Sequence, residues 1–305
     1  MAKDLISIND LNSAQITELL DLGRSLKAET KAGKTRDTLA GKTLALVFEK
    51  PSLRTQATFE VGMHQLGGHT IFLGGANIQL GQRESVPDVA RNLERWVHGV
   101  AARTFAHKTV TDLAEYAHVP VINALTDREH PCQALAWLMT ASERRGDLRG
   151  SKLAFVGDGN NVAHSLMLLC AKVSVDFVIC CPPGFEPDGA LAEEARAMAS
   201  QTGSSIEVLN DLSGVDGADF LYTDVWASMG QEAQRAERLR AFGRFQVDTH
   251  VLSRASAGAL VSHCLPAHRG EEITDDVLDG PHSVAFDEAE NRLHIQKAIL
   301  LALMG

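Results

Sequence analysis

Short apolar runs alternate with helix-like patterns along almost the whole chain, and this alternation constrains the fold more than any other feature. Residues 43–48, 69–73, 100–105 and 120–124 read as strands, with helical spacing at 55–66, 88–96 and 110–117 between them and an amphipathic first helix around 14–26. Strands separated by helices cannot pair as hairpins. They form a parallel sheet covered by the helices that connect them. A long helical pattern at 131–145 leads into Gly146-Asp147-Leu148-Arg149-Gly150, the best candidate for a boundary, and a second alternating series starts at Lys152. In that half, 153–156, 176–180, 206–209, 220–223 and 260–263 read as strands, with a helix through 162–170. A last helical pattern at 291–304 is apolar on a broad face. The length of 305 residues favours two domains. The expected fold is α/β: two doubly wound parallel-sheet lobes with a cleft between them, the C-terminal helix packing back on the first lobe. The expected domains are residues 1–145 with 288–305, and residues 146–287. Open sheets of this kind bind ligands at the carboxyl ends of their strands.

Composition narrows the class of function. No stretch offers the roughly 18 apolar residues that a membrane span needs, and Met1-Ala2-Lys3-Asp4-Leu5 lacks the apolar segment of a secretory signal, so a cytosolic protein is expected. Five cysteines without paired C-x-x-C spacing suggest neither a disulfide framework nor a zinc knuckle. A net charge of -10 argues against nonspecific nucleic-acid binding. It leaves room for an anionic small substrate, because local arginines and helix ends dominate inside a cleft.

The polar residues that follow strands carry the chemistry. Ser52-Leu53-Arg54-Thr55 stands where an apolar run ends and a helical pattern begins. Unpaired N–H groups and the positive end of the macrodipole attract an anion there, and Arg54 can add a bidentate fork. An ordinary N-cap followed by a solvated arginine would read the same way. Arg103 closes an apolar strand, which is costly unless its charge meets a partner. His130-Pro131-Cys132-Gln133 opens a helix and presents His130 and Gln133 one turn apart; His130 could equally be a cap. Gly157-Asp158-Gly159-Asn160-Asn161-Val162 is a weak match to a dinucleotide fingerprint, with Val162 in place of the third glycine, and its amides suit a polar substrate better. Asp224-Val225-Trp226-Ala227-Ser228-Met229-Gly230 suits the ammonium and carboxylate of an amino acid, or is an Asx turn before a helix. In His263-Cys264-Leu265-Pro266 no acid–histidine arrangement nearby marks Cys264 as a thiolate nucleophile.

Taken in order, these segments resemble the aspartate/ornithine carbamoyltransferase family over essentially the whole chain, and its ornithine-specific members most closely. The family's Ser-Thr-Arg-Thr is similar to Ser52 to Thr55, its His-Pro-x-Gln to His130 to Gln133, its Asp-x-x-x-Ser-Met-Gly to Asp224 to Gly230, and its His-Cys-Leu-Pro to His263 to Pro266. The resemblance implies a carbamoyl phosphate site at Ser52, Leu53, Arg54, Thr55, Gln79, Arg103, His130, Gln133, Cys264, Leu265 and Arg292. It implies an ornithine site at Asn161, Asp224, Ser228 and Met229. Leu53 departs from the family's threonine, harmlessly if the position binds through its N–H and at a cost if a hydroxyl contact is lost.

By the same resemblance the amine of ornithine attacks the carbonyl carbon of carbamoyl phosphate and phosphate leaves, giving citrulline for arginine biosynthesis, with no metal or organic cofactor. Arg54, Arg103, His130, Asp224 and Cys264 are the expected catalytic set. In the family the Gln79 loop completes a site across a subunit boundary, which implies a homotrimer. Closure of the lobes on the second substrate is a further family expectation. A nicotinamide-dependent oxidoreductase and a noncatalytic sensor of phosphate or an amino acid are the competing readings. Among acceptors, Gln79, Gln82 and Arg83 stand in the loop where aspartate enzymes carry a lysine, and Ser228-Met229-Gly230 favours ornithine; putrescine and acylated ornithine stay open.

Overall fold

The computed structural model describes residues 2–75, 80–81, 83–227 and 232–305. The chain divides into two compact units, Met1–Met139 with Glu290–Gly305, and Thr140–Ala289. The first unit is therefore discontinuous, and the second is one unbroken segment.

The first unit holds a four-stranded parallel sheet in the order β2-β1-β3-β4. Its strands are β1 (Thr43–Phe48), β2 (His69–Gly74), β3 (Gly99–Arg103) and β4 (Val121–Leu125). The N-terminal segment extends the sheet by one residue, Leu5 bridging to Ile122. Its helices are α1 (Ser13–Lys31), α2 (Leu53–Gln65), α3 (Val86–Leu93), α4 (His107–Tyr116) and the start of α5 (Pro131–Arg145). Alternate strand residues face opposite sides. Ala45, Val47, Val100, Ala102 and Val121 share one core with Val89, Ala90 and Leu93 of α3 and with Val110 and Leu113 of α4. The opposite side meets the last helix, α11 (Ala285–Met304): a Cβ on Gly99 would lie 2.8 Å from Met304 Sδ and 3.4 Å from Leu44 Cδ1. Gly62 on α2 allows an equally close approach, since a Cβ there would be 3.2 Å from Lys297 Cγ. The C-terminal helix thus packs on the first unit, as expected. It begins at Ala285, six residues before the apolar pattern expected from 291, because its first turn is acidic (Asp287, Glu288), which suits the macrodipole and breaks the apolar pattern even though Ala285 and Glu288 are buried.

The second unit holds a five-stranded parallel sheet in the order β7-β6-β5-β8-β9. Its strands are β5 (Lys152–Val156), β6 (Asp176–Cys180), β7 (Ile206–Leu209), β8 (Phe220–Thr223) and β9 (Leu260–His263). Its helices are the rest of α5, α6 (Asn161–Lys172), α7 (Gly189–Thr202), α8 (Arg235–Phe242), α9 (Thr249–Arg254) and α10 (Asp275–Leu278). One sheet face, Ala154, Val156, Val178, Cys180, Leu221 and Val261, packs with Trp226, Phe242, Phe245, Val251 and Val277. On the other face Phe155 and Tyr222 stack at 5.7 Å. Every residue of α6 from Val162 to Ala171 is buried, His164 and Ser165 included, so this helix is enclosed on every side rather than along one stripe. In both sheets the connections reverse direction beside the first strand, between β1 and β3 and between β5 and β8. Those switch points are where ligands bind in open α/β sheets.

Candidate active site

At the first switch point the loop after β1 delivers Ser52 in an extended conformation, and its hydroxyl accepts from Thr55 N at 3.2 Å. This cap uses one of the N–H groups of the first turn that have no partner within the helix. The Leu53 side chain is 79% exposed. The fold therefore does not need it for packing. Thr55 is fully buried, and its Oγ1 accepts from Nη2 of Arg292 at 2.8 Å, across 237 positions of sequence.

Across the switch, Arg103 ends β3 where its register with β4 shifts, so the buried guanidinium leaves the sheet at an irregularity rather than in a regular ladder. His130 and Gln133 are buried at the first turn of α5, which opens on Pro131. Burial, reinforced by Arg292 and Arg103, pushes the His130 imidazole well below its ordinary value. His130 is thus neutral beside positive charge, with one ring nitrogen able to donate and one able to accept. Lys50, in the same loop as Ser52 but outside the expected set, is lowered by burial and then by Arg103, and lies 4.6 Å over the Phe105 ring. Cys132, between His130 and Gln133, is pushed up to about 12 by burial and is an inert core thiol.

At the second switch point Asp224 follows β8 and Asn160 follows β5. The Asp224 carboxylate accepts from Asn160 Nδ2, from its neighbour Val225 N and from Cys264 Sγ, each at 2.8 Å. Asn160 also caps α6, its Oδ1 accepting from Val162 N and Ala163 N, so the loop that resembled a dinucleotide fingerprint is spent on a helix cap and a carboxylate. Gly159 is required for a different reason: a Cβ there would stand 2.2 Å from Pro187 N. Asn161 is half-buried at the first position of α6. Gln79, Ser228 and Met229 lie outside the described residues.

Around Cys264, residues distant in the chain converge. Its thiol donates a hydrogen bond to Asp224, and one ligand-type atom each of Asp224, His263 and Cys264 lies within 4.8 Å of the others. His263 Nδ1 accepts from Leu265 N at 2.8 Å, which leaves Nε2–H to donate to Glu272 Oε1 at 3.1 Å. Leu265 itself stands at φ 55°, held by that bond. Glu272, Asp158 and Arg238 were not legible as site residues. Nothing near Glu272 or Arg238 in sequence forms a motif, and Asp158, inside the 157–162 segment, meets its partner Arg238 only across 80 positions of sequence.

Two sets of side chains among the described residues have the spacing to hold a cation, Asp224 with His263 and Cys264, and His268 with Glu271 and Glu272. Both are engaged by protein partners: Cys264 with Asp224, His263 with Glu272, and Glu271 with Arg235.

Comparison with known proteins matches this geometry to a family. Residues 3–143 match "Aspartate/ornithine carbamoyltransferase, carbamoyl-P binding domain", and residues 149–303 match "Aspartate/ornithine carbamoyltransferase, Asp/Orn binding domain". The chain belongs to the aspartate/ornithine carbamoyltransferase family. Among relatives within this carbamoyltransferase family, the ornithine carbamoyltransferase of Carboxydothermus hydrogenoformans is 51% identical over 304 residues, covering 99% of this chain and 98% of that protein. The solved ornithine carbamoyltransferase of Pyrococcus furiosus superposes with a TM-score of 0.96 at 49% identity, covering 99% of this chain and 97% of that one. The carbamoyltransferase structure from Thermus thermophilus, also an ornithine enzyme, gives 0.90 at 44% identity over all of both chains.

Proposed function

We propose that the protein transfers the carbamoyl group of carbamoyl phosphate to the side-chain amine of L-ornithine, giving L-citrulline and phosphate in arginine biosynthesis. The observation that carries this reading is the cluster around Thr55. A helix start fit for an anion is tied to buried Arg292, with Arg103 and Arg292 acting electrostatically on neutral His130. In this reading Ser52, Leu53, Arg54, Thr55, Gln79, Arg103, His130, Gln133, Cys264, Leu265 and Arg292 hold carbamoyl phosphate. Asn161, Asp224, Ser228 and Met229 hold ornithine.

The neutral amine of ornithine forms a bond to the carbonyl carbon, the carbon–oxygen bond to phosphate breaks, and the nitrogen gives up a proton. Negative charge develops on the carbonyl oxygen, where Arg103 and the neutral donor His130 offset it. Arg292 donates to Thr55 Oγ1, so the threonine hydroxyl hydrogen is left to donate to the same oxygen. The departing phosphate is stabilised by the N–H groups of the helix start and by Arg54. Asp224, with Cys264 donating to it, orients the amine and helps with its proton; no covalent enzyme intermediate is involved.

The protein is cytoplasmic in this reading and works as a homotrimer in which Gln79 of one subunit completes a neighbour's site; sedimentation as a monomer would rule that assembly out. A panel of ornithine, N-acetylornithine, putrescine and aspartate as acceptors tests the substrate. Ornithine should be carbamoylated fastest, and faster turnover of putrescine would overturn the assignment.

A further inference from the structure

We infer that Arg238 is a positioning residue for ornithine, holding the turn from Asp224 to Trp226 through the carbonyl of Trp226; this rests on the proposed role of Asp224 in binding ornithine. Helix α8 is exposed from Arg235 to Glu237 and again at Arg240, and Arg238 is the buried member of that charged stretch. A buried guanidinium is costly unless its donors are used. Here Nη1 donates to Asp158 Oδ2 at 2.7 Å and to Trp226 O at 2.8 Å, while the guanidinium lies 5.0 Å over the Phe185 ring.

The two acceptors belong to the two loops of the second switch point. Asp158 follows β5 and is joined to Asp224 through Asn160, whose N–H donates to Asp158 O at 2.7 Å and whose amide donates to Asp224 Oδ2 at 2.8 Å. Trp226 stands midway between Asp224 and Ser228 in sequence. One side chain therefore ties both loops together on either side of the Asp224 carboxylate. Trp226 is held twice by α8, since its ring also stacks on Phe242 at 5.8 Å. Asp158 fixes the guanidinium, and Trp226 O is the group through which the guanidinium acts on the substrate segment. The carbamoyl phosphate cradle at Ser52 to Thr55, Arg103, His130 and Arg292 shares none of these contacts. Loss of the tie should therefore fall on one substrate.

Removing Arg238 alone would leave Asp158 buried without its counter-charge and endanger folding. The informative variant is Asp158→Asn with Arg238→Met, which removes the charge pair and the tie together. Its KM for ornithine should rise about tenfold, the loss of one charge-assisted hydrogen bond, with KM for carbamoyl phosphate within about twofold of wild type. Arg238→Lys keeps the charge near Asp158 but loses the planar fork, and should give a smaller rise in the same direction. An unchanged ornithine KM in both variants, an equal rise for both substrates, or failure of Arg238→Lys to fold would each overturn the inference. Absence of citrulline formation by the wild type would instead overturn the proposed function.

Discussion

The two units place their polar residues by the same rule and fill that place with opposite chemistry. In the first, the switch between β1 and β3 gathers Arg54, Arg103 and Arg292 around a helix start, and its titratable histidine is kept neutral. In the second, the switch between β5 and β8 presents a single carboxylate, Asp224, supplied with three donors. Topology decides where a ligand is met, and the residues that end the strands decide which sign of charge it carries. A net charge of -10 for the whole chain says nothing about either place, because each works through groups within hydrogen-bonding reach.

The contrast can be broken most directly at its cationic pole. Arg54→Ala should lose at least one charge-assisted hydrogen bond worth about 1.5–3 kcal/mol, and so lower kcat/KM for carbamoyl phosphate roughly 10- to 150-fold. Unchanged steady-state kinetics would show that the helix start binds its anion without that fork. At the anionic pole, Asp224→Asn keeps the shape and one acceptor but removes the charge. It should reduce kcat/KM for ornithine by about tenfold, measured at saturating carbamoyl phosphate. If carbamoyl phosphate suffered equally, the division of labour between the units would be wrong.

Acid should expose the same asymmetry through stability. His130 is held neutral in the first unit, and so is His294, which burial and then Lys297 lower to about 4. A folded-state value below the ordinary 6.5 means that the unfolded chain binds more protons between the two. Stability is therefore lost as pH falls from about 6.5 toward about 4, by at most about 1.4 kcal/mol per pH unit for each such group. In the second unit buried Asp158 is displaced in the direction that favours acid, its carboxyl raised by burial. Denaturant unfolding across this range should report the slope, and His294→Gln should flatten it; an unaltered slope would remove His294 from the account. The smallest effect is expected at Leu53, whose side chain is 79% exposed. Leu53→Thr should leave kcat/KM within about twofold, as a position acting through its N–H requires, and a larger gain would mean that a hydroxyl contact is missing.

Much of this was legible in the sequence because strand ends carry their chemistry locally. Ser52, Arg103, His130 and Asp224 each follow an apolar run, and the sequence order of the runs is enough to put them at carboxyl ends. The nine strands among the described residues were readable from the same runs, with small shifts such as β4, expected at 120–124 and found at Val121–Leu125. The short helices α8, α9 and α10 were not, since they bury few residues and show little periodicity. The setting of Cys264 was illegible for a different reason. Its acid partner lies 40 residues away, and Glu272 reaches His263 only after the chain has turned back. Arg238 is one charge among several from Arg235 to Arg240, and only its burial separates it from Arg235 and Arg240.

The bond from Arg292 to Thr55 also sets an order of events during synthesis. A ribosome releases β1 and the start of α2 early, and the second unit, being one continuous segment, can form as soon as it emerges. The helix that bears Arg292 comes last. A nascent chain therefore carries the capped helix start long before it carries the arginine that braces it, the two partners of that bond standing 237 positions apart.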